Sequence, residues 1–125
     1  MSRFASTQKG RRSRADIVKD LGKGKKLKLR FWVEKDGETF LAQGRINLLE
    51  TIEKTNSLSK AAKQLKISYR HAWLLLSGMN RISSKPLIQT LTGGSSGGGT
   101  FLTAYARRII KEFYRIKSKL EKIGL

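Results

Sequence analysis

The chain has 125 residues, room for one ordinary domain with a tail, and its 27 basic against 9 acidic side chains give a formal charge of +18. That balance selects polyanionic partners, and the lack of cysteine excludes disulfides, thiolate catalysis and thiolate metal sites. No stretch approaches the roughly 18 consecutive apolar residues that span a bilayer, the longest aliphatic run being Leu74-Leu75-Leu76, so a soluble protein with no membrane partner is expected.

Residues 1–30 carry 11 Lys/Arg and 2 Asp with few large apolar side chains, the composition of a flexible basic arm, which is assigned to residues 1–25. From Lys26 the pattern alternates. Leu27, Leu29, Phe31 and Val33 fall on one face and Lys28, Arg30, Trp32 and Glu34 on the other, which predicts a strand. Lys35-Asp36-Gly37-Glu38 then supplies a turn and Thr39-Phe40-Leu41 a short return strand, so an N-terminal β-hairpin is expected.

Three short helices follow. Ile46, Leu49 and Ile52, with Leu48 beside them, mark one from about Gly44 to Lys54, stopping near Asn56-Ser57. Leu58, Ala61, Ala62 and Leu65 sit at helical spacing in a second, with Ser57 or Ser59 as N-cap. Ala72, Leu75, Leu76 and Met79 repeat the spacing in a third, capped by Ser68. So tight a connection between two amphipathic helices, the first of them alanine-rich, predicts a helix-turn-helix.

After Pro86, Leu87-Ile-Gln-Thr-Leu91 reads as a strand and Thr100-Phe101-Leu102 can pair back, which makes the glycine-rich Thr92–Thr100 the tip of a hairpin, or wing. A phosphate-binding P-loop would need Gly-Lys-Ser/Thr opening a helix, and this loop contains no lysine. The last helix starts at Thr103. Its apolar residues Ala106, Ile109, Phe113, Ile116, Leu120 and Ile123 step by 3-4-3-4-3, the spacing of a coiled-coil seam, whose partner is either a second subunit or the chain's own first helix. The expected fold class is therefore mainly α with small β: a winged helix-turn-helix over residues 26–103, with an N-terminal β-hairpin and a long C-terminal dimerisation helix over 104–125.

At about 100° per residue, the face of the third helix opposite its apolar stripe presents Arg70, Leu74, Ser77 and Arg81, flanked by His71 and Trp73, with Tyr69 in the first turn. The N-terminal residues of such a helix meet base edges in the major groove, so Ser68, Tyr69, Arg70, His71, Trp73, Ser77 and Arg81 are the candidate DNA contacts. Arg70 suits a bidentate bond to guanine or a phosphate contact, Trp73 a sugar, a thymine methyl or the edge of the core. The tip residues Gly93, Gly94, Ser95, Ser96 and Gly97 join them, because glycine lets backbone approach a duplex with no Cβ in the way. With one histidine and scattered carboxylates, neither a metal site, a cofactor nor a catalytic constellation is expected.

The segment Ser57–Asn80, containing Ser68-Tyr69-Arg70-His71-Ala72-Trp73 and Met79-Asn80, together with Thr92-Gly-Gly-Ser-Ser-Gly-Gly-Gly-Thr100 and Leu102-Thr103-Ala104-Tyr105, closely resembles the DNA-binding domain of the ModE family of molybdate-dependent transcriptional regulators. The resemblance covers about residues 26–115. It implies a cytoplasmic, nucleoid-associated homodimer that binds double-stranded DNA at a pseudo-palindromic operator, in the manner of the short members that lack molybdate-binding domains, with no molybdate bound by this chain. Lys66 stands where the family usually has glycine, a substitution costing about 0.5–1 kcal/mol if the turn demands positive φ. Ser95 or Ser96 stands where the wing commonly carries lysine. The rival expectation is an architectural protein that binds DNA without reading its sequence, through charge alone.

Overall fold

In a computed structural model the described residues are 21–26, 28–93 and 98–122. The chain divides into a unit of residues 31–113 and a second made of residues 1–30 and 114–125. The element order is β1 (Val33–Lys35), β2 (Glu38–Leu41), α1 (Gln43–Thr55), α2 (Leu58–Leu65), α3 (Tyr69–Ile82), β3 (Ile88–Leu91), β4 (Gly99–Leu102) and α4 (Ala104–Lys122), mainly helical with two small antiparallel hairpins.

The first hairpin turns through Asp36 at φ 52° and Gly37 at φ 82°, the pair of positive φ values that matches a two-residue turn to the twist of its strands. Glu34 faces Thr39 and Val33 faces Leu41, so Phe40 is an extra residue in β2 and bulges. The strand expected from Lys26 is much shorter than its alternation suggested. The in-and-out burial holds from Lys28 to Val33, but β2 ends opposite Val33 and the chain enters α1 two residues later, so residues 28–32 have no partner strand. Leu27 lies outside the described residues. Trp32 remains exposed and its indole N–H donates to the Glu34 carboxylate at 2.7 Å, the i to i+2 neighbour on the same face.

The helices begin where capping chemistry places them. The Ser57 hydroxyl accepts from the Lys60 N–H at 3.1 Å, Ser68 from the His71 N–H at 3.0 Å and Thr103 from the Ala106 N–H at 3.1 Å, each satisfying one orphan donor of a first turn. The α2–α3 turn closes with the Ile67 N–H on the Ala62 carbonyl at 3.0 Å and the Lys66 N–H on Lys63 at 3.1 Å. That bond pattern needs a left-handed residue just past the helix, and Lys66 occupies it at φ 59°, ψ 40°. The positive φ on which the cost of a non-glycine residue depended is therefore present.

Within residues 31–113 the core is built by Ile46, Leu48, Leu49 and Ile52 of α1, Ala61 and Ala62 of α2, and Ala72, Leu76 and Met79 of α3, all fully or nearly fully buried. Leu41, Leu58, Leu87, Leu102, Ala106 and Phe113 complete it, and the Phe113 ring stacks on Phe31 with centroids 4.7 Å apart. Small alanines on α2 let the helix backbones come close, which sets how α3 is held against α1.

Strand β3 pairs with β4 from Ile88 opposite Leu102 to Leu91 opposite Gly99, so the glycine-rich stretch does close a hairpin. Two of its glycines have packing reasons. A Cβ on Gly98 would overlap the Leu91 carbonyl across the strands, and one on Gly99 would stand 2.9 Å from the Asn56 carbonyl, which also accepts the Thr100 N–H at 3.1 Å. The loop-proximal end of the paired strands is thereby pinned to the α1–α2 connection.

Candidate nucleic-acid interface

The pieces that present α3 can be followed from the capping serine. Ser68 fixes the first turn, Ala72, Leu76 and Met79 anchor the inner face, and the outer face is left to Tyr69, Arg70, His71, Trp73 and Leu74. Tyr69 is 56% exposed, Trp73 51% and Leu74 49%, a concentration of apolar area unusual for the water-facing side of a helix in so charged a chain. No carboxylate engages the Arg70 guanidinium among the described residues, which leaves its five donors available to a ligand.

Two of the expected contacts have partners within the chain. Arg81 donates to the Glu38 carboxylate of β2 at 2.6 Å, tying the C-terminal end of α3 to the first hairpin. This bond and the adjacent charge hold the Glu38 carboxyl below its ordinary range and push the Arg81 guanidinium further up. Ser77 is half-buried and donates its hydroxyl proton to the Trp73 carbonyl, one turn back. Neither Glu38 nor the matching pair between Arg107 and Glu53, at 2.6 Å, was foreseen from the sequence, since each joins residues more than 40 positions apart.

Between α3 and the β3–β4 hairpin runs a groove of about 310 Å³ walled by Tyr69, Trp73, Leu76, Ser77 and Asn80 on one side and Ile88, Thr90 and Thr100 on the other, with Leu58 beneath. The exposed aromatics and the hairpin are thus adjacent surfaces. Gly93 is exposed at the end of β3, whereas Gly94, Ser95, Ser96 and Gly97 lie outside the described residues, as do the arm over residues 1–20 and Ile123. A further cationic cluster sits at the start of α4, where Lys85 and Arg108 each lie 5.6 Å from the Tyr105 ring centroid and Ser84 bonds the Tyr105 hydroxyl at 3.1 Å.

The expected seam of α4 divides by burial. Ala106 and Phe113 are buried inside the chain's own core, Ile109 and Leu120 are half-buried, and Ile116 is 37% exposed. Part of the 3-4-3-4-3 pattern therefore serves the packing of the subunit itself. The sequence could not separate the two uses, because an apolar stripe has the same spacing whichever surface covers it.

No family model matches the chain. Curated relatives do: over 72 residues it is 46% identical to the transcriptional regulator ModE of Haemophilus influenzae, a segment equal to 58% of this chain and 28% of that protein. It is 43% identical over 81 residues to the molybdenum transport protein ModE of Azotobacter vinelandii, covering 65% of this chain and 30% of the relative. It is 38% identical over 78 residues to the DNA-binding transcriptional dual regulator ModE of Escherichia coli, covering 62% and 29%. The chain thus spans less than a third of the length of these relatives, of which the Haemophilus and Escherichia proteins are named as transcriptional regulators. Among solved structures, Lactococcus lactis ZitR superposes with a TM-score of 0.49 at 19% identity, over 85% of this chain and 71% of that one, too loosely to assign a fold. Across the matched segment, the chain is a homologue of the ModE transcriptional regulators.

Proposed function

We propose that the protein is a sequence-specific DNA-binding transcriptional regulator with a winged helix-turn-helix fold, in which α2 and α3 form the helix-turn-helix and the β3–β4 hairpin the wing. The observation that supports this most is the outer face of α3. Its N-terminal half carries an arginine with no carboxylate partner among the described residues, between exposed aromatic and aliphatic side chains, on a chain of charge +18 that is homologous to DNA-binding regulators. Charge brings the duplex to the protein, and a helix presenting donors and apolar groups can then distinguish base edges.

In this reading α3 enters the major groove with Ser68, Tyr69, Arg70, His71 and Trp73 foremost, and Gly93–Gly97 follow the adjacent backbone through N–H groups and the Ser95 and Ser96 hydroxyls. Arg81, held by Glu38, orients the helix and is at most a secondary contact. The chain acts as a homodimer through Ile109, Ile116, Leu120 and Ile123, while Ala106 and Phe113 carry the helix that displays them. Two-fold symmetry then sets two recognition helices about one DNA turn, or a multiple of it, apart. The names of the relatives suggest genes of molybdenum metabolism as targets, reached in the cytoplasm at the nucleoid.

Selection of bound duplexes from a random pool at about 150 mM salt, where screening shortens weak long-range attraction to ~8 Å, tests the reading directly. Enrichment of two inverted half-sites at fixed spacing is expected. Bound DNA without an enriched motif, with affinity set by salt alone, would instead make this an architectural protein.

A further inference from the structure

The α3 surface offers few hydrogen-bonding groups for a helix that discriminates bases. Ser77 has given its proton to the Trp73 carbonyl and Arg81 pairs with Glu38, so among the described residues the hydrogen-bonding side chains left on the outward face are Tyr69, Arg70 and His71. The two neighbours of Arg70 one turn along are Trp73 at i+3 and Leu74 at i+4. Both are about half exposed, at 51% and 49%, and both project from the N-terminal half of the helix. A solvated helix gains little from the exposed halves of a leucine and a tryptophan side by side, while its fully buried residues are Ala72, Leu76 and Met79.

The edges of bases in the major groove are polar with one exception, the C5 methyl group of thymine, which is the only feature there that an aliphatic or aromatic side chain can bury. We infer that Trp73 and Leu74 read thymine through this methyl group on either side of the Arg70 contact. The inference rests on α3 being the helix that enters the groove. It makes thymine positions, rather than hydrogen-bond patterns alone, a principal determinant of the operator.

The test replaces each thymine of the enriched duplex in turn by deoxyuridine, which removes the methyl and leaves the hydrogen-bonding edge intact, and measures affinity for the wild-type, Trp73→Ala and Leu74→Ala proteins. At one or more thymines in each half-site the wild type should lose about fourfold in affinity, the equivalent of one buried methyl. At those positions at least one alanine variant should bind thymine and deoxyuridine duplexes equally. Each side chain is about half buried, so the variants should melt below the wild type, and affinities are compared at a temperature where all three proteins are folded. Wild-type indifference to every substitution, half-sites lacking thymine, or discrimination that survives in both variants would overturn the inference while leaving the regulator reading standing. Equal binding of enriched and scrambled duplexes would overturn both.

Discussion

The side-chain oxygen of Asn80 accepts the backbone N–H of Leu87 at 2.8 Å, joining the last full turn of α3 to the entrance of β3. On its other side the Leu87 carbonyl accepts the Thr103 N–H at 3.0 Å, and the Thr103 hydroxyl donates to the Pro86 carbonyl at 2.8 Å while capping α4. Three elements therefore converge on one buried residue. Asn80→Ala strips the acceptor from a part-buried donor and should lower stability by about 1–2 kcal/mol in urea unfolding. Asn80→Asp keeps an acceptor oxygen and should recover part of that loss.

Lys66 holds the left-handed position between α2 and α3 with a side chain that prefers to avoid it. Lys66→Gly should raise stability by about 0.5–1 kcal/mol, net of the extra freedom glycine has when unfolded. Lys66→Val should lower it by more than that, because a β-branched residue at positive φ is a severe misfit. Both shifts are read from denaturation midpoints at constant m value.

What the sequence made legible was local. The caps at Ser57, Ser68 and Thr103, the Asp36-Gly37 turn and the apolar stripes of α1 to α3 each depend on residues within a few positions of one another. Relationships across the chain were not legible. The Arg81–Glu38 and Arg107–Glu53 pairs, the Phe31–Phe113 stack and the Asn80–Leu87 bond are decided by how the elements meet, which no periodicity reports. The same reason explains Lys28 to Trp32, where alternation signalled two faces correctly but could not show that the partner strand stops at Leu41. On α3, spacing alone identified the outward residues, while the diversion of Ser77 and Arg81 to protein partners needed coordinates.

Phe113 and Ile116 sit three residues apart on α4 and should respond differently to substitution. Phe113 is 1% exposed and stacked on Phe31, so Phe113→Ala should cost about 3–5 kcal/mol, with a coupling to Phe31→Ala of about 0.5–1.5 kcal/mol in a double-mutant cycle. Ile116 is exposed, so Ile116→Asp combined with Ile109→Asp should halve the mass found by sedimentation while leaving a folded protein. An unchanged mass would overturn the proposed dimer seam on α4.

The Glu38–Arg81 pair gives stability a pH dependence of definite sign. Glu38 titrates lower in the folded chain because Arg81 hydrogen-bonds its carboxylate and, secondarily, because of the charge beside it. A group depressed in this way stabilises above its unfolded-state pKa, and the contribution disappears as pH falls through the folded-state value. Both side chains are more than half exposed, so the effect is small and salt-sensitive. Glu38→Gln should melt slightly below the wild type at neutral pH, and the difference should close on acidification and in about 1 M salt.

Arg70 separates recognition from attraction. It is one of 27 basic residues, so its removal changes the total charge little, yet it stands on the α3 face with no carboxylate partner among the described residues. Arg70→Ala should therefore cost about 1–3 kcal/mol against the enriched duplex and much less against a scrambled one, flattening the preference at the base it contacts. The slope of log affinity against log salt should change little with that loss if the contact is to a base edge. Equal weakening on both duplexes, with a salt slope lower by about 0.9, would make Arg70 a phosphate contact and leave discrimination to the apolar pair beside it.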